Sequence, residues 1–196
     1  MYYNRFRVFV ICGPSGVGKG TIISRLMSDY PNKFGFSVSH TTRPPRVGEQ
    51  NGKDYHFVSK DFFKGMLENN RFLEYADVYD KMYGTSFEAV KNVLDDNKCC
   101  ILDLDIQGTK SVRKSTLDPV CIFIKPPTIQ SLEDRLLARH TETIDEIRNR
   151  MVKAEAIITE AEVTKDLFDE VIINDDLDAC YSKFVEVIKK YQPNFL

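Results

Sequence analysis

Short runs of apolar, largely β-branched residues alternate with amphipathic segments along the 196-residue chain. Such runs are typical of buried strands. They lie at residues 8–12, 34–38, 99–104, 120–124 and 171–173. The first segment with helical spacing follows Lys19 and ends before Pro31, and the last extends from 177 to about 191. This alternation predicts an α/β fold with a central parallel sheet flanked by helices.

Two segments interrupt the alternation, and each predicts an insertion into the core. Residues of about 39–96 contain Asn51-Gly52, which is typical of a hairpin turn, and predict a small mixed lobe. Residues of about 127–165 are charged and helical, and Thr143 and Glu146 have the spacing of a capping box that begins a second helix. The remaining core comprises residues of about 5–38, 97–126 and 166–196 within a single domain, 1–196.

Composition and charge narrow the class of protein. Hydrophobic residues make up 42% and charged residues 29%, as in globular proteins, and a net charge of −2 gives no sign of a nucleic-acid or membrane-surface protein. The five cysteines include no C-x-x-C pair and indicate buried thiols in a reducing compartment. No apolar run is long enough for a signal peptide or a membrane span. We expect a cytoplasmic protein without nucleic-acid or membrane partners.

The sequence G-P-S-G-V-G-K-G-T, which follows the first predicted strand and enters the first predicted helix, predicts a phosphate-binding loop. The alternative is a glycine-rich turn that merely joins strand and helix. In the loop, backbone N–H groups would cradle nucleotide phosphates, and Lys19 would reach the terminal ones. The candidate residues are Gly13, Pro14, Ser15, Gly16, Val17, Gly18, Lys19, Gly20 and Thr21.

Gly20 takes the position where such loops usually carry a Ser or Thr whose hydroxyl touches Mg²⁺. Because Mg²⁺ keeps several waters and is held largely by substrate phosphates, this indicates a different metal arrangement rather than a dead site. Thr21 would contribute through a water or simply pack. Asp103 and Asp105 end a predicted strand at the edge where α/β sheets bind ligands, and Asp103 would reach Mg²⁺ through water. No direct protein ligand to the metal is predicted.

Arg43 and Arg46 flank two prolines that stiffen the backbone and aim both guanidinium groups into one region. Two planar groups of this kind suit a doubly charged phosphate monoester, whereas the alternative is a solvated basic loop. Tyr55 and Tyr83 follow as additional hydroxyl donors, which favours the phosphate site.

Residues 34–58, F-G-F-S-V-S-H-T-T-R-P-P-R-V-G-E-Q-N-G-K-D-Y-H-F-V, resemble the nucleoside-monophosphate lobe of guanylate kinases. Further motifs keep the order and spacing of that family across nearly the whole chain. They are L-E-Y (73–75), Y-G-T-S (83–86), I-L-D-L-D-I-Q-G (101–108), T-E-T (141–143) and V-I-I-N-D-D (171–176). The resemblance implies a P-loop nucleoside monophosphate kinase fold with an inserted GMP-binding lobe and a helical lid.

The resemblance also implies roles for residues on the GMP side. It assigns the GMP phosphate to Arg43, Arg46, Tyr55 and Tyr83. It assigns the guanine to Glu74, because a carboxylate accepts hydrogen bonds from both N1–H and the N2 amine of guanine, whereas adenine offers an acceptor there. Without its neighbours, Glu74 would be taken for an outward-facing strand residue. Ser39, Thr85 and Asp105 are at the supporting positions, and Asp103 is a further candidate substrate-binding residue.

On the ATP side, the resemblance implies that the lid arginines Arg135, Arg139 and Arg150 close over the triphosphate. Asn174, with Asp175 beside it, matches the adenine side of the ATP site. Arg148 matches no position of the family.

The activity implied is Mg²⁺-dependent transfer of the γ-phosphoryl group of ATP to GMP, and also to dGMP. Catalytic charge neutralisation would come from Lys19, Arg46, Arg139 and Arg150 together with Mg²⁺. One alternative is a protein-binding module that resembles guanylate kinases but has lost phosphoryl transfer; the complete loop argues against it. A second is an AMP kinase, since G-K-G-T resembles the adenylate kinase loop. A monomer or a weak homodimer is expected.

Overall fold

The structure, a computed structural model, describes residues 7–78, 80–138 and 143–193. The strands of these residues are β1 (Val8–Cys12), β2 (Phe34–Phe36), β3 (His40–Thr41), β4 (His56–Phe57), β5 (Phe72–Val78), β6 (Lys81–Ser86), β7 (Cys99–Asp103), β8 (Val120–Lys125) and β9 (Glu170–Ile173). The helices are α1 (Lys19–Asp29), α2 (Lys60–Glu68), α3 (Phe87–Asp95), α4 (Ile106–Arg113), α5 (Ile129–Leu137), α6 (Ile144–Val163) and α7 (Leu177–Tyr191), with a 3₁₀ helix at Lys165–Leu167.

A five-stranded parallel sheet with the strand order β2-β7-β1-β8-β9 forms the centre of the molecule. Strand β1 is buried along its whole length, as its continuous apolar run predicts. The strand order reverses at β1, between β7 and β8, and ligands of open α/β sheets bind beyond the strand ends at such a switch point. The predicted α/β class with a central parallel sheet is confirmed.

The two faces of this sheet are covered by different helices. Side chains of β1 alternate, so that Phe9 and Ile11 belong to one apolar cluster and Val10 and Cys12 to the other. The first cluster includes residues of α1, α5, α7 and the first half of α6. The second includes residues of α3, α4 and the last part of α6. Helix α6 therefore bridges the two faces beyond the central strands.

A second, four-stranded sheet with the order β4-β3-β6-β5 lies within the first predicted insertion. The expected hairpin at Asn51-Gly52 is wrong, because β3 and β4 on either side of it pair in parallel. The turn there is local: Gly52 donates its N–H to the Tyr55 carbonyl, and the Asp54 carboxylate accepts from the N–H of Gln50. The antiparallel hairpin of this sheet is instead β5–β6.

The second predicted insertion contains α5 and α6. Helix α6 begins after Thr143, whose hydroxyl accepts the N–H of Glu146 while the Glu146 carboxylate accepts the N–H of Thr143, so the predicted capping box is confirmed. Arg139 and the first two residues of the T-E-T motif lie outside the described residues. All five cysteines are buried and unpaired, as predicted. Over the described ranges, no helix combines the length and the apolarity needed to cross a membrane.

Candidate active site

The loop formed by residues 13–18 connects β1 to α1 at the switch point of the central sheet. Gly13 and Gly18 have positive φ angles of 150° and 103°, which residues with side chains rarely adopt. A Cβ atom at Gly13 would lie 2.3 Å from the carbonyl oxygen of Ile124, and one at Gly18 would lie 2.5 Å from Nδ2 of Asn174. The loop can follow this path only because glycine occupies both positions.

Lys19 folds back over the loop. Its Nζ donates to the carbonyl oxygens of Gly13 at 2.7 Å and Pro14 at 3.3 Å, and lies 3.8 Å from Oδ1 of Asp103. Asp103 is brought there because the end of β7 is in register with Ile11 of β1. Burial raises the pKa of Asp103, and the positive charge of Lys19 opposes that rise. The structure thus brings a cation and a carboxylate together at the loop.

Three predicted side chains from the ATP side contact the loop or one another. Arg150 of α6 donates from Nη1 to Oγ of Ser15 at 2.7 Å. Arg135 of α5 donates from Nη2 to the carbonyl oxygens of Asn174 at 2.8 Å and Asp175 at 3.0 Å. The buried Asn174 amide donates in turn to the carbonyl oxygen of Val17 at 2.7 Å. Helices α5 and α6 and the segment after β9 therefore all meet beside the loop.

A groove of about 590 Å³ separates the loop from α6. Its lining residues are Ser15, Glu146, Asn149, Arg150 and Lys153. The sequence prediction missed Glu146, Asn149 and Lys153 as site residues. Their spacing of three and four residues, which puts them on the Arg150 face of α6, is the signal that could have found them.

On the lobe side, Arg43 is held by a carboxylate that the sequence prediction missed. Its Nη1 and Nη2 donate to the two oxygens of Glu49 at 2.7 and 2.6 Å, and the main-chain N–H of Arg46 donates to Oε2 of Glu49 at 2.7 Å. These hydrogen bonds lower the pKa of Glu49 to about 2. The guanidinium of Arg46 is on an exposed residue. The short Arg46-x-x-Glu49 spacing is the sequence signal that could have found this carboxylate.

Two tyrosines lie beside Arg43, as the prediction expects. The guanidinium carbon of Arg43 is 5.0 Å from the centroid of the Tyr55 ring, and the rings of Tyr55 and Tyr83 are 6.0 Å apart. Burial raises the pKa of Tyr55, and the charge of Asp103 contributes to the rise. The carboxylate charge of Asp103 thus acts on the Tyr55 hydroxyl.

The predicted base-binding residues form a separate cluster between β5, β6 and α4. Glu74 is buried, and burial raises its pKa, while hydrogen bonds from the hydroxyl and main chain of Thr85 oppose the rise. Oγ of Ser39 lies 3.0 Å from Oγ1 of Thr85. Asp105 caps α4 by accepting the N–H of Gly108 at 2.7 Å, and its charge also raises the pKa of Glu74. The cluster offers a carboxylate shielded from water.

A glycine-rich loop at the switch point of a parallel sheet, with a second small sheet beside it, is the arrangement of the P-loop nucleoside monophosphate kinase fold. The guanylate kinase family model matches residues 5–191, and the chain belongs to this family. The family predicted from the motifs is confirmed, and the P-loop kinase fold with it.

Individual relatives agree with this assignment. Guanylate kinase 1 of Arabidopsis thaliana is 49% identical over 185 residues, 94% of this chain, but the chain spans about half of that relative, 48% of its length. Guanylate kinase of Sus scrofa is 42% identical over 184 residues, which cover 94% of this chain and 92% of the relative. A crystal structure of guanylate kinase from Anaplasma phagocytophilum superposes with a TM-score of 0.73 at 27% identity, covering 95% of this chain and 86% of that one.

Proposed function

We propose that the protein is an ATP:GMP phosphotransferase, which converts ATP and GMP into ADP and GDP. The observation that carries the choice of acceptor is the buried carboxylate of Glu74 beside Thr85. An ionised carboxylate accepts both donors on the pairing edge of guanine, whereas adenine would present an acceptor to it. Since a wrong base leaves this shielded group unpaired, discrimination of about 10⁴-fold is expected. We include dGMP as an acceptor because this recognition involves the base alone.

The GMP phosphate is assigned to Arg43, Arg46, Tyr55 and Tyr83. The contact of Arg43 with the Tyr55 ring and the proximity of Tyr83 support this assignment, because they concentrate donors in one place. Glu49 already engages Arg43 through both oxygens, so the carboxylate holds the guanidinium plane in a fixed orientation. We assign Ser39, Thr85 and Asp105 to the support of Glu74.

The triphosphate of ATP is assigned to residues 13–21, with Lys19 at the terminal phosphates and Arg150 above Ser15. The adenine is assigned to the side formed by Asn174 and Asp175. Arg135, which donates to the main-chain carbonyls of both, is assigned with Arg150 to the lid arginines over the triphosphate. Arg139 is proposed as a further lid arginine from its position in the sequence.

The residues around Lys19 fit a divalent cation such as Mg²⁺. The carboxylate of Asp103 is a hard oxygen donor whose side chain is 34% exposed, and Thr21 is exposed on the first turn of α1. When bound, Mg²⁺ would neutralise charge on the phosphates of ATP. We propose that Asp103 and Thr21 reach it through water, because Gly20 supplies no hydroxyl.

The reaction forms a bond from an oxygen of the GMP phosphate to the γ-phosphorus, while the bond from that phosphorus to the β–γ bridging oxygen breaks and its electron pair leaves with ADP. The attacking oxygen is already ionised, so no residue needs to act as a base. Lys19, Arg46 and Arg150 would neutralise the charge on the transferring group. A well-placed arginine accelerates such a transfer by roughly 10³–10⁵-fold.

We further propose that residues 39–96 form the GMP-binding lobe and residues 127–165 the lid, and that both close over the core. The buried free cysteines support a cytoplasmic location. We propose a monomer or a weak homodimer that has no nucleic-acid or membrane partner.

The test is ADP formation from ATP and Mg²⁺ with GMP, dGMP, AMP, CMP and UMP in turn. Turnover with GMP far above that with AMP is the expected result. Turnover with AMP instead would show that the adenylate-kinase-like ending of the loop determines the acceptor. Absence of turnover with all five would favour the protein-binding module, and Gly20 would then be the first residue to replace.

A further inference from the structure

Gly108 occupies the first turn of α4, where the helix packs against β5. The residue is buried, and its N–H donates to Oδ1 of the capping Asp105 at 2.7 Å. Alanine stabilises a helix more than glycine does at such a position. The helix itself therefore gives no reason for a glycine at position 108.

The reason lies in what a side chain there would meet. A Cβ atom at Gly108 would lie 3.1 Å from Oε2 of Glu74 and 3.3 Å from Oδ1 of Asp105, both tighter than ordinary van der Waals contact. The Glu74 carboxylate belongs to the residue opposite Thr85 in the β5–β6 pair, and the donor groups of Thr85 oppose the rise in its pKa. It therefore lies between a donor on one side and the bare main chain of α4 on the other. A methyl group on α4 would displace it by a few tenths of an ångström.

We propose that Gly108 is a positioning residue for base recognition, which sets the place of the Glu74 carboxylate by having no side chain. The inference rests on the proposed function, since it concerns how the carboxylate meets the guanine of GMP. Hydrogen bonds weaken steeply when donor and acceptor leave their preferred distance and direction. Two bonds to one rigid base edge cannot both adapt to a displaced carboxylate. Gly108 thus contributes to GMP affinity without touching GMP.

The first test is Gly108→Ala, with steady-state kinetics for both substrates. We expect the KM for GMP to rise about tenfold, as for a weakened charge-assisted hydrogen bond. The kcat and the KM for ATP should stay unchanged, and the melting temperature should not fall. The matched control is Gly65→Ala in α2, a helical glycine whose added Cβ has nothing within 4 Å, and it should leave both KM values unchanged.

A second pair of variants shows whether the effect acts through Glu74. Glu74→Ala alone should impair GMP turnover, and adding Gly108→Ala to it should change the KM for GMP no further, because the displaced group is gone. The same pair of variants keeps the inference testable if the Gly108→Ala protein does not fold. With the carboxylate removed, the double variant should melt at the same temperature as Glu74→Ala or higher. A lower melting temperature would show that the methyl group acts mainly on its other neighbours, the side chains of Asp105 and Leu104, which overturns the inference.

The possible failures are distinguishable. If the wild-type protein phosphorylates GMP but Gly108→Ala leaves the KM for GMP unchanged, the inference about Gly108 is wrong and the proposed function stands. If the wild-type protein does not phosphorylate GMP, both are overturned. A rise in the KM for ATP equal to that for GMP would point to general damage and would also contradict the role proposed for Gly108.

Discussion

The carboxylate of Glu74 combines a proposed binding role with an unfavourable environment. Burial raises the pKa of Glu74, and the hydrogen bonds from Thr85 oppose that rise. The folded protein therefore keeps the Glu74 proton at a pH where an exposed glutamate has lost it. The stability that this protonation contributes is present below the pKa in the unfolded chain and is lost as the pH rises through the pKa in the folded protein. Guanine recognition needs the ionised form, so stability and binding favour opposite protonation states.

We expect the KM for GMP to rise as the pH falls from about 8 towards about 5, because a protonated Glu74 no longer accepts both donors of guanine. The phosphate of GMP also titrates in this range, with a pKa of about 6. Steady-state kinetics of the wild type and of Glu74→Gln over the same pH range separate the two effects, since the variant keeps only the phosphate titration. Identical pH profiles of the KM for GMP in both proteins would contradict this expectation.

Gly20 differs from the other loop glycines because it has room for a side chain. A Cβ atom at Gly20 would have nothing within 4 Å, and the residue is exposed on the first turn of α1. We therefore expect Gly20→Ser to fold and to keep GMP turnover, with a modest change in the Mg²⁺ concentration that gives half-maximal activity. Measuring ADP formation across a Mg²⁺ titration tests this.

Gly13→Ala is the contrasting variant for that titration, because its Cβ would lie 2.3 Å from the Ile124 carbonyl oxygen. It should lose activity and melt at a lower temperature. Complete loss of activity in Gly20→Ser as well would show that the loop tolerates only glycine at position 20, for a reason other than space.

Among the elements, α6 connects a local sequence signal to the proposed ATP site. Its capping box at Thr143 and Glu146 satisfies N–H groups at the helix start, and Arg150 follows in the second turn. We expect Thr143→Ala to lower the free energy of unfolding by about 1 kcal/mol. It should also raise the KM for ATP severalfold, because fraying of the first turns loosens the contact of Arg150 with Ser15. Thermal unfolding and ATP kinetics measure the two effects.

Ser59→Ala is the control for this variant. Ser59 caps α2 by accepting the N–H of Phe62, so its loss should lower stability by a similar amount without changing the KM for ATP. If Thr143→Ala lost stability but kept its KM for ATP, the start of α6 would have no part in ATP binding.

The limits of several strands and helices show how much of the secondary structure the local sequence pattern predicts. Strand β1 and helix α7 have the limits that their apolar runs and spacing predict, because both are determined by burial of neighbouring residues. Strand β2 ends at Phe36 rather than at 38. Strands β3 and β4 have two residues each, which is too short for an alternating pattern of apolar and polar residues to predict them. They pair in parallel across the intervening loop. The Asn51-Gly52 pair correctly predicts a turn, but it contains no information on the relative direction of the strands on either side. The prediction of a hairpin was therefore wrong.

The residues of the candidate site also fall into two groups: those that the local sequence predicts and those that only the three-dimensional structure brings together. The position of the loop between β1 and α1 was predictable, because glycines and a lysine at fixed spacing within nine positions are typical of such a loop. Glu49 and Gly108 were missed because their importance comes from what lies next to them in space: two arginines for the first, and the Glu74 carboxylate for the second. The assignment of Glu74 itself relied on the family resemblance. The roles of these side chains stay predictions until the variants are measured.

At the scale of the whole molecule, the cationic side chains assigned to the transferring phosphoryl group come from three different parts. Lys19 belongs to the core, Arg46 to the segment between β3 and β4 of the second sheet, and Arg150 to α6. The first part of α6 packs in the apolar cluster on one face of the central sheet and its last part in the cluster on the other face, so the helix is anchored on both. Arg150 already contacts Ser15 of the loop, so we predict that charge neutralisation is completed only when both substrates also bring Arg46 to the transferring group.

This convergence predicts that ATP is protected from water until GMP is bound. We expect ADP formation without GMP to be lower than with saturating GMP by on the order of a hundredfold or more, since the open site lacks part of its positive charge. Guanosine is the informative control, because it fills the base side at Glu74 but leaves the region of Arg43 and Arg46 without a phosphate. Guanosine alone should not raise ADP formation. Guanosine together with inorganic phosphate should raise it if a phosphate bound at Arg43 and Arg46 is sufficient to close the lobe of residues 39–96 over the core. Comparable ADP release with and without GMP would show that the site closes on ATP by itself, and closure would then have no part in the choice of acceptor.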